Sequence, residues 1–252
     1  MNPMNFPILV FALSFAVLLL AAVIGDALRS NVRALKEDER GDFGVVLNAT
    51  LTLLGLLIGF SFSMAITRYD QRKNYEEAEA NAIGTEYVRA DLLPAAEAAR
   101  VRQLLRKYLD ERMLFYTTRD EARLAKINAE TTDLQNELWA SVRLPAMAQP
   151  TPVVALAVSG MNDVLNSQGY TQSAWWNRIP TAAWAMMAAI AISCNLLIGY
   201  GAHGRDWRIL LIVPVVVSIA FFLIADIDSP HGGAIRVAPQ NLISLSQAIR
   251  AQ

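Results

Sequence analysis

The chain has 252 residues, 54% of them hydrophobic and 18% charged, with a mean hydropathy of +0.30 and a formal net charge of −1. That balance argues against disorder, a disulfide-stapled mini-protein and a simple soluble enzyme, and the lack of basic excess argues against nucleic acid as a partner. The single cysteine, Cys194, allows no intrachain disulfide.

The charges are sharply segregated. Residues 1–25, 43–67, 179–204 and 209–225 hold no Lys, Arg, Asp or Glu, so all 22 basic and 23 acidic side chains fall elsewhere. Each stretch approaches or exceeds the roughly 20 apolar residues that cross a bilayer core as a helix. The predicted fold is all-α: transmembrane helices 1 and 2 within 1–67, an extramembrane helical domain over 68–178, transmembrane helices 3 and 4 within 179–227, and a tail over 228–252.

The first segment lacks the basic start of a cleavable signal, and its apolar run from Pro7 to Ile24 is long enough to span, so it reads as a retained anchor. The second, Phe43 to Thr67, mixes Leu and Ile with polar and small residues. Asn48-Ala-Thr50 matches a glycosylation sequon but sits inside this span, where it carries no weight. Gly55, Gly59, Ser63 and Thr67 recur every four residues, and Asn48 and Thr52 continue the weakly polar stripe. Two readings stand side by side. Small residues let helix backbones approach closely and hydroxyls bond across the contact. Polar residues in a span also face bundle interiors or water, so the same stripe could line an aqueous route. Phe60 and Phe62 are then candidates for an apolar constriction; they lie about 200° apart on a helix, so only one can face a lumen.

Beyond this span, Arg68-Tyr-Asp-Gln-Arg72-Lys73 is followed by Glu76, Glu77 and Glu79. Arg72 with Glu76 and Lys73 with Glu77 are four apart and predict pairs on a solvated helix surface. Arg68, Arg72 and Glu76 are equally candidates for charges around a pore mouth. The helix continues without proline until Pro94, so it would run from about Val45 to Leu93. Helices are then predicted over Ala95–Phe115, with Val101, Leu104, Leu105, Tyr108 and Leu109 on one stripe, and over Asp120–Val142, with Ile127, Leu134, Leu138 and Trp139. Pro145 and Pro150 are expected to punctuate the next connection, and Thr151-Pro152 reads as an N-cap with proline at the first helical position. That helix carries Val153, Val154, Leu156, Met161, Val164 and Leu165. No segment alternates as a half-buried strand would.

The third span runs from about Pro180 to Tyr200 and the fourth from Ile209 to Ile227, with Trp175, Trp176, Trp184 and Trp207 near their ends, where indole rings favour the headgroup layer. Asp226 and Asp228 then leave the membrane, as further pore-mouth candidates or as partners for Arg236 and the basic residues after the second span. Two carboxylates are too few for a cation site. The tail from Gln240 to Arg250 predicts an amphipathic helix with Leu242, Leu245 and Ile249 on one side.

Four spans place both termini and the insert on one side. The short loops offer Arg29, Arg33, Lys36, Arg40, Arg205 and Arg208 against Arg68, Arg72, Lys73, Arg178 and Arg236 on the other, which does not fix orientation, although the first helix leans towards an outside N-terminus. His203 and His231 fall in loops at opposite faces. There is no phosphate loop, no metal-spaced Cys or His pair and no nucleophile beside a base, so no catalytic residue, metal or cofactor is predicted.

Leu54-Gly-Leu-Leu-Ile-Gly-Phe-Ser-Phe-Ser63, then Arg68-Tyr-Asp and Glu79-Ala-Asn-Ala-Ile-Gly-Thr85, resembles the bestrophin-like bacterial membrane proteins. Asp228-Ser-Pro-His-Gly-Gly-Ala-Ile-Arg-Val237 resembles that family's second landmark. The resemblance implies an oligomer in the bacterial inner membrane, a pentamer in bestrophin channels, around a central anion pathway lined by the second span. It also implies a cytoplasmic insert. The expected partners are the lipid bilayer, further copies of the chain and inorganic ions. A non-conducting scaffold or sensor, whose insert binds a partner, is the alternative.

Overall fold

A computed structural model describes residues 6–31, 35–202 and 207–251. Arg33, His203 and Arg205 lie outside the described residues, as do the side chains of Trp207, Arg208 and Ile209. Along the chain the helices are α1 (Pro7–Asn31), α2 (Arg40–Arg89), α3 (Ala95–Thr117), α4 (Glu121–Ala148), α5 (Pro152–Trp176), α6 (Thr181–Gly201), α7 (Trp207–Asp228) and α8 (Gln240–Arg250), with a 3-10 turn at Ala90–Leu92 after α2. Among the described residues there is no strand, and the fold is all-α. Four helical stretches among the described residues are long and apolar enough to cross a membrane, drawn from α1, α2, α5 with α6, and α7.

Local chemistry sets most boundaries. Pro94, which cannot continue a helix, immediately precedes α3. The Asp120 carboxylate accepts the Arg123 backbone N–H at 2.7 Å to start α4. Thr151 accepts from the Val154 N–H at 3.2 Å, with Pro152 at the first position of α5, as the spacing predicts. Pro145 does not end a helix as expected: α4 runs through it to Ala148. Proline this close to a C-terminus removes a single ladder bond, and its carbonyl still accepts the Gln149 N–H at 2.9 Å.

The chain divides into two compact units: residues 1–68 with 178–235, and 69–177 with 236–252. In the first, α1 packs on α6 and α7. Leu18, Ala21 and Ala22 of α1 are buried there, as are Met187, Ala191 and Cys194 of α6 and Phe221 and Ile224 of α7. The α1–α6 contact is backbone against backbone. A Cβ on Gly199 would strike the Ala22 carbonyl, and one on Gly25 would strike the Leu196 carbonyl. Lipid offers no hydrophobic drive between helices, so close approach through small residues supplies the attraction. Trp184 is buried edge-on against Phe221, with ring centroids 5.9 Å apart.

In the second unit, α3, α4, α5, α8 and the C-terminal end of α2 enclose one apolar core that includes Ile83, Tyr87, Val101, Leu105, Phe115, Leu138, Met161 and Leu242. Trp175 belongs to this core and not to a headgroup layer. Its ring lies 5.4 Å from Phe115 and 5.0 Å from Tyr116, centroid to centroid, and these aromatic neighbours bury it. Trp176, by contrast, is exposed. The tail forms the predicted amphipathic helix and presses Leu242 and Ile249 into the core.

Replacing Gly199 by alanine is expected to destabilise the protein by about 1–3 kcal/mol through overpacking of two backbones. Thermal unfolding of detergent-solubilised protein measures it; an unchanged midpoint would mean α1 and α6 do not meet there.

Candidate functional site

The membrane part of α2 is packed along one narrow line. Within 43–67, Leu54, Ser61 and Ala65 are the buried residues, and at 100° per residue they fall on a single stripe. Asn48, Thr52, Gly55, Gly59 and Ser63 centre about 140° round the helix from that stripe and are all exposed. Among the described residues, a Cβ on Gly55 or Gly59 would meet nothing within 4 Å, unlike one on Gly25 or Gly199. Gly55 and Gly59 are therefore not used for close packing against the described residues of this chain.

The three threonine hydroxyls of this segment donate to the helix's own backbone. Thr50 donates to the Val46 carbonyl at 2.7 Å, Thr52 to Asn48 at 2.8 Å and Thr67 to Ser63 at 2.9 Å. Such back-bonding satisfies the hydroxyl donor without a partner from another helix. Phe60 is 60% exposed and Phe62 36%. Phe62 lies seven residues after Gly55, hence on the glycine face, whereas Phe60 lies on its flank.

The five candidate mouth charges are placed differently. Arg68 forms an ion pair with Asp228 at 3.6 Å. Asp228 also accepts the Ile179 backbone N–H, at 3.1 and 3.2 Å to its two oxygens, just before α6 begins. The two oxygens of Asp226 accept the Ala234 and Ile235 N–H groups, each at 2.8 Å. Arg72 and Glu76 are each 1% exposed and so are not solvated surface charges. The Arg72 Nε donates to the Ala174 carbonyl at 3.2 Å, and its Nη2 to the Asn177 carbonyl at 3.5 Å, at the negative end of α5. Glu76 accepts from the Asn241 N–H at 2.9 Å, the Leu242 N–H at 3.0 Å and the Asn241 side-chain amide at 2.6 Å, capping the start of α8. These charges hold helix ends and turns. Among the described residues, no group of three or more His, Cys, Asp or Glu is arranged to hold a metal ion.

One turn further along α2, Glu79 is fully buried and ties three helices together. Arg112 of α3 pairs with it through Nε, and the Tyr116 and Thr171 hydroxyls each donate to its Oε2 at 3.1 Å. Burial, reinforced by that carboxylate, pushes the Tyr116 phenol far above its ordinary range. Arg112 also lies over the Phe115 ring, 4.5 Å from its centroid. In the sequence Glu79 stood out in a charged run and at the head of the Glu79–Thr85 motif, without a partner, and Glu86, also buried, had no role at all. The available signal was phase. Arg72, Glu76, Glu79 and Glu86 share a stripe with Ala80, Ile83, Tyr87 and Ala90, while Asp70, Lys73, Glu77 and Asn81 face away.

Changing Glu79 to glutamine leaves Arg112 buried without a counter-charge and is expected to cost about 3–5 kcal/mol. The double replacement of Glu79 by glutamine and Arg112 by methionine should recover much of that loss, and denaturant titrations of the three proteins measure the difference.

Comparison with known proteins agrees with this architecture. The family model described as Bestrophin-like domain matches residues 9–242. No curated protein matches the chain. Crystal structures of a bacterial Bestrophin homolog from Klebsiella pneumoniae share the fold. One superimposes with a TM-score of 0.66 at 14% identity, covering 96% of this chain and 97% of that one. Another gives 0.62 at 16%, covering 96% and 95%. A structure described as a membrane protein gives 0.66 at 14%, covering 95% and 97%.

Proposed function

We propose that this chain, which belongs to the Bestrophin-like family, assembles with copies of itself into an ion channel in the bacterial inner membrane, with the second span along the pathway. The observation that carries the reading is the open face of α2. Asn48, Thr52, Gly55, Gly59 and Ser63 are exposed in the single chain and lie away from the buried stripe of the same span. Polar groups in a span seldom face lipid, and a face that the chain's own helices leave uncovered needs either partner helices or water. Copies of the same chain arranged around an axis provide both: flanks that pack and an inner face that is wetted.

Phe62 is the better candidate for the constriction. It shares the glycine face, and Ile58 and Ile66 stand one turn before and after it, giving an apolar stripe that could gate by dewetting. Phe60, on the flank, is placed to pack against a neighbouring copy. Asn48 and Thr52 continue the wetted face towards the start of the helix. Anion selectivity and a pentameric ring follow from the family resemblance. The buried roles of Arg72, Glu76, Asp226 and Asp228 leave them as supports for the end of the pathway instead of a ring of free charge.

Reconstitution into liposomes loaded with a chloride-sensitive dye tests this reading. The wild-type protein is expected to pass chloride, Phe62→Ala to raise the flux several-fold, and Phe60→Ala to leave conduction per assembly unchanged while weakening the oligomer. Absence of any ion flux across voltage, pH and calcium, with a folded oligomer in the bilayer, would instead favour a non-conducting scaffold whose helical insert binds a partner.

A further inference from the structure

Glu86 is the one buried carboxylate of α2 whose placement serves none of the roles above. It is fully buried, and neither carboxylate oxygen has a hydrogen-bond partner among the described residues. Its seat is specific. Gly160 of α5 lies directly beneath it, and a Cβ at that position would overlap a Glu86 carboxylate oxygen and come within 2.7 Å of the Arg89 Nη1. The missing side chain at 160 is thus the recess in which this carboxyl fits.

A buried carboxylate without donors is strongly disfavoured, whereas a neutral carboxylic acid tolerates the same seat. The neighbouring charges are few. Arg89, on the same helix, favours the ionised form but is also shared with Asp163 of α5 at 3.9 Å, and Asp163 opposes ionisation. Three cations of the other packed elements have partners of their own. Arg102 of α3 pairs with Asp91 and lies over the Tyr87 ring, Arg106 bonds the Tyr87 hydroxyl, and Arg250 of α8 pairs with Asp110. Burial accordingly pushes the Glu86 carboxyl up to about 8.

We propose that Glu86, seated on Gly160, is a proton-binding site of the extramembrane unit: with the proton bound, the end of α2 closes on α5, and losing it loosens that contact. The sign follows from linkage. The folded unit holds the proton more tightly than the unfolded chain, so the stabilisation is complete below the ordinary carboxylate range and is lost as pH rises through about 8. The ionised group must then admit water or draw Arg89 away from Asp163. This site stands whether or not the assembly conducts ions.

Hydrogen exchange of the full-length protein in lipid nanodiscs, corrected for intrinsic rates, reads the contact directly in segments 83–92 and 155–164. In the wild type, exchange in both is expected to accelerate through a one-proton transition on going from neutral to alkaline pH. Glu86→Gln should abolish the transition. Two substitutions at more exposed positions give opposite signs: Asp163→Asn should move the midpoint down, and Arg89→Gln should move it up. A transition that survives in Glu86→Gln overturns the proposal. If that variant does not fold, midpoints in Asp163→Asn and Arg89→Gln that stay fixed or move in the same direction overturn it.

Discussion

The second compact unit depends on a stripe of charged residues buried along α2. Residues 72–90 turn one face inward, and that face carries Arg72, Glu76, Glu79 and Glu86 among Ala80, Ile83, Tyr87 and Ala90. Each charge removed from water needs its own compensation, and the compensations organise the unit. Arg72 meets the carbonyl end of α5, Glu76 meets the amide end of α8, and Glu79 meets Arg112, Tyr116 and Thr171. These pairings tie α3, α5 and α8 to particular positions along α2, and removing one partner of a buried pair costs more than the pair itself contributes.

The membrane unit obeys a different constraint. Burying apolar surface gains nothing against lipid tails, so contact follows where backbones can come close. Gly25 and Gly199 permit that between α1 and α6, and both positions exclude a side chain. The second span has glycines too, yet no described residue comes near the space beside Gly55 and Gly59. The same residue type thus does two jobs. In α1 and α6 it brings helices of one chain together, whereas in α2 it keeps a face narrow and uncovered.

Much of this was legible in the residues. Four charge-free stretches announced the spans, because a bilayer tolerates few charges and requires about 20 residues per crossing. Pro94, Asp120 and Thr151-Pro152 marked helix starts through chemistry local to each site. The failures share a cause. Arg72 and Glu76 read as a solvated pair because four-residue spacing looks the same on a wet face as on a buried one. Trp175 read as an interfacial ring because its distance along the chain from a span says nothing of the pocket formed by Phe115 and Tyr116. Pro145 read as a helix end because its tolerance depends on how few ladder bonds remain beyond it.

The sequence by itself determined composition-driven properties: an all-α chain, four spans, a helical insert, the capped starts and the polar stripe on the second span. These depend on period, length and short-range chemistry, which are carried by neighbouring residues. Only the tertiary structure decided which charges are inside, which glycines are contact points and which face of the second span stays open. Those properties depend on what lies opposite a residue in space. Glu86 shows the difference most plainly, since the recess that raises its affinity for a proton is the absence of a side chain 74 positions later, at Gly160.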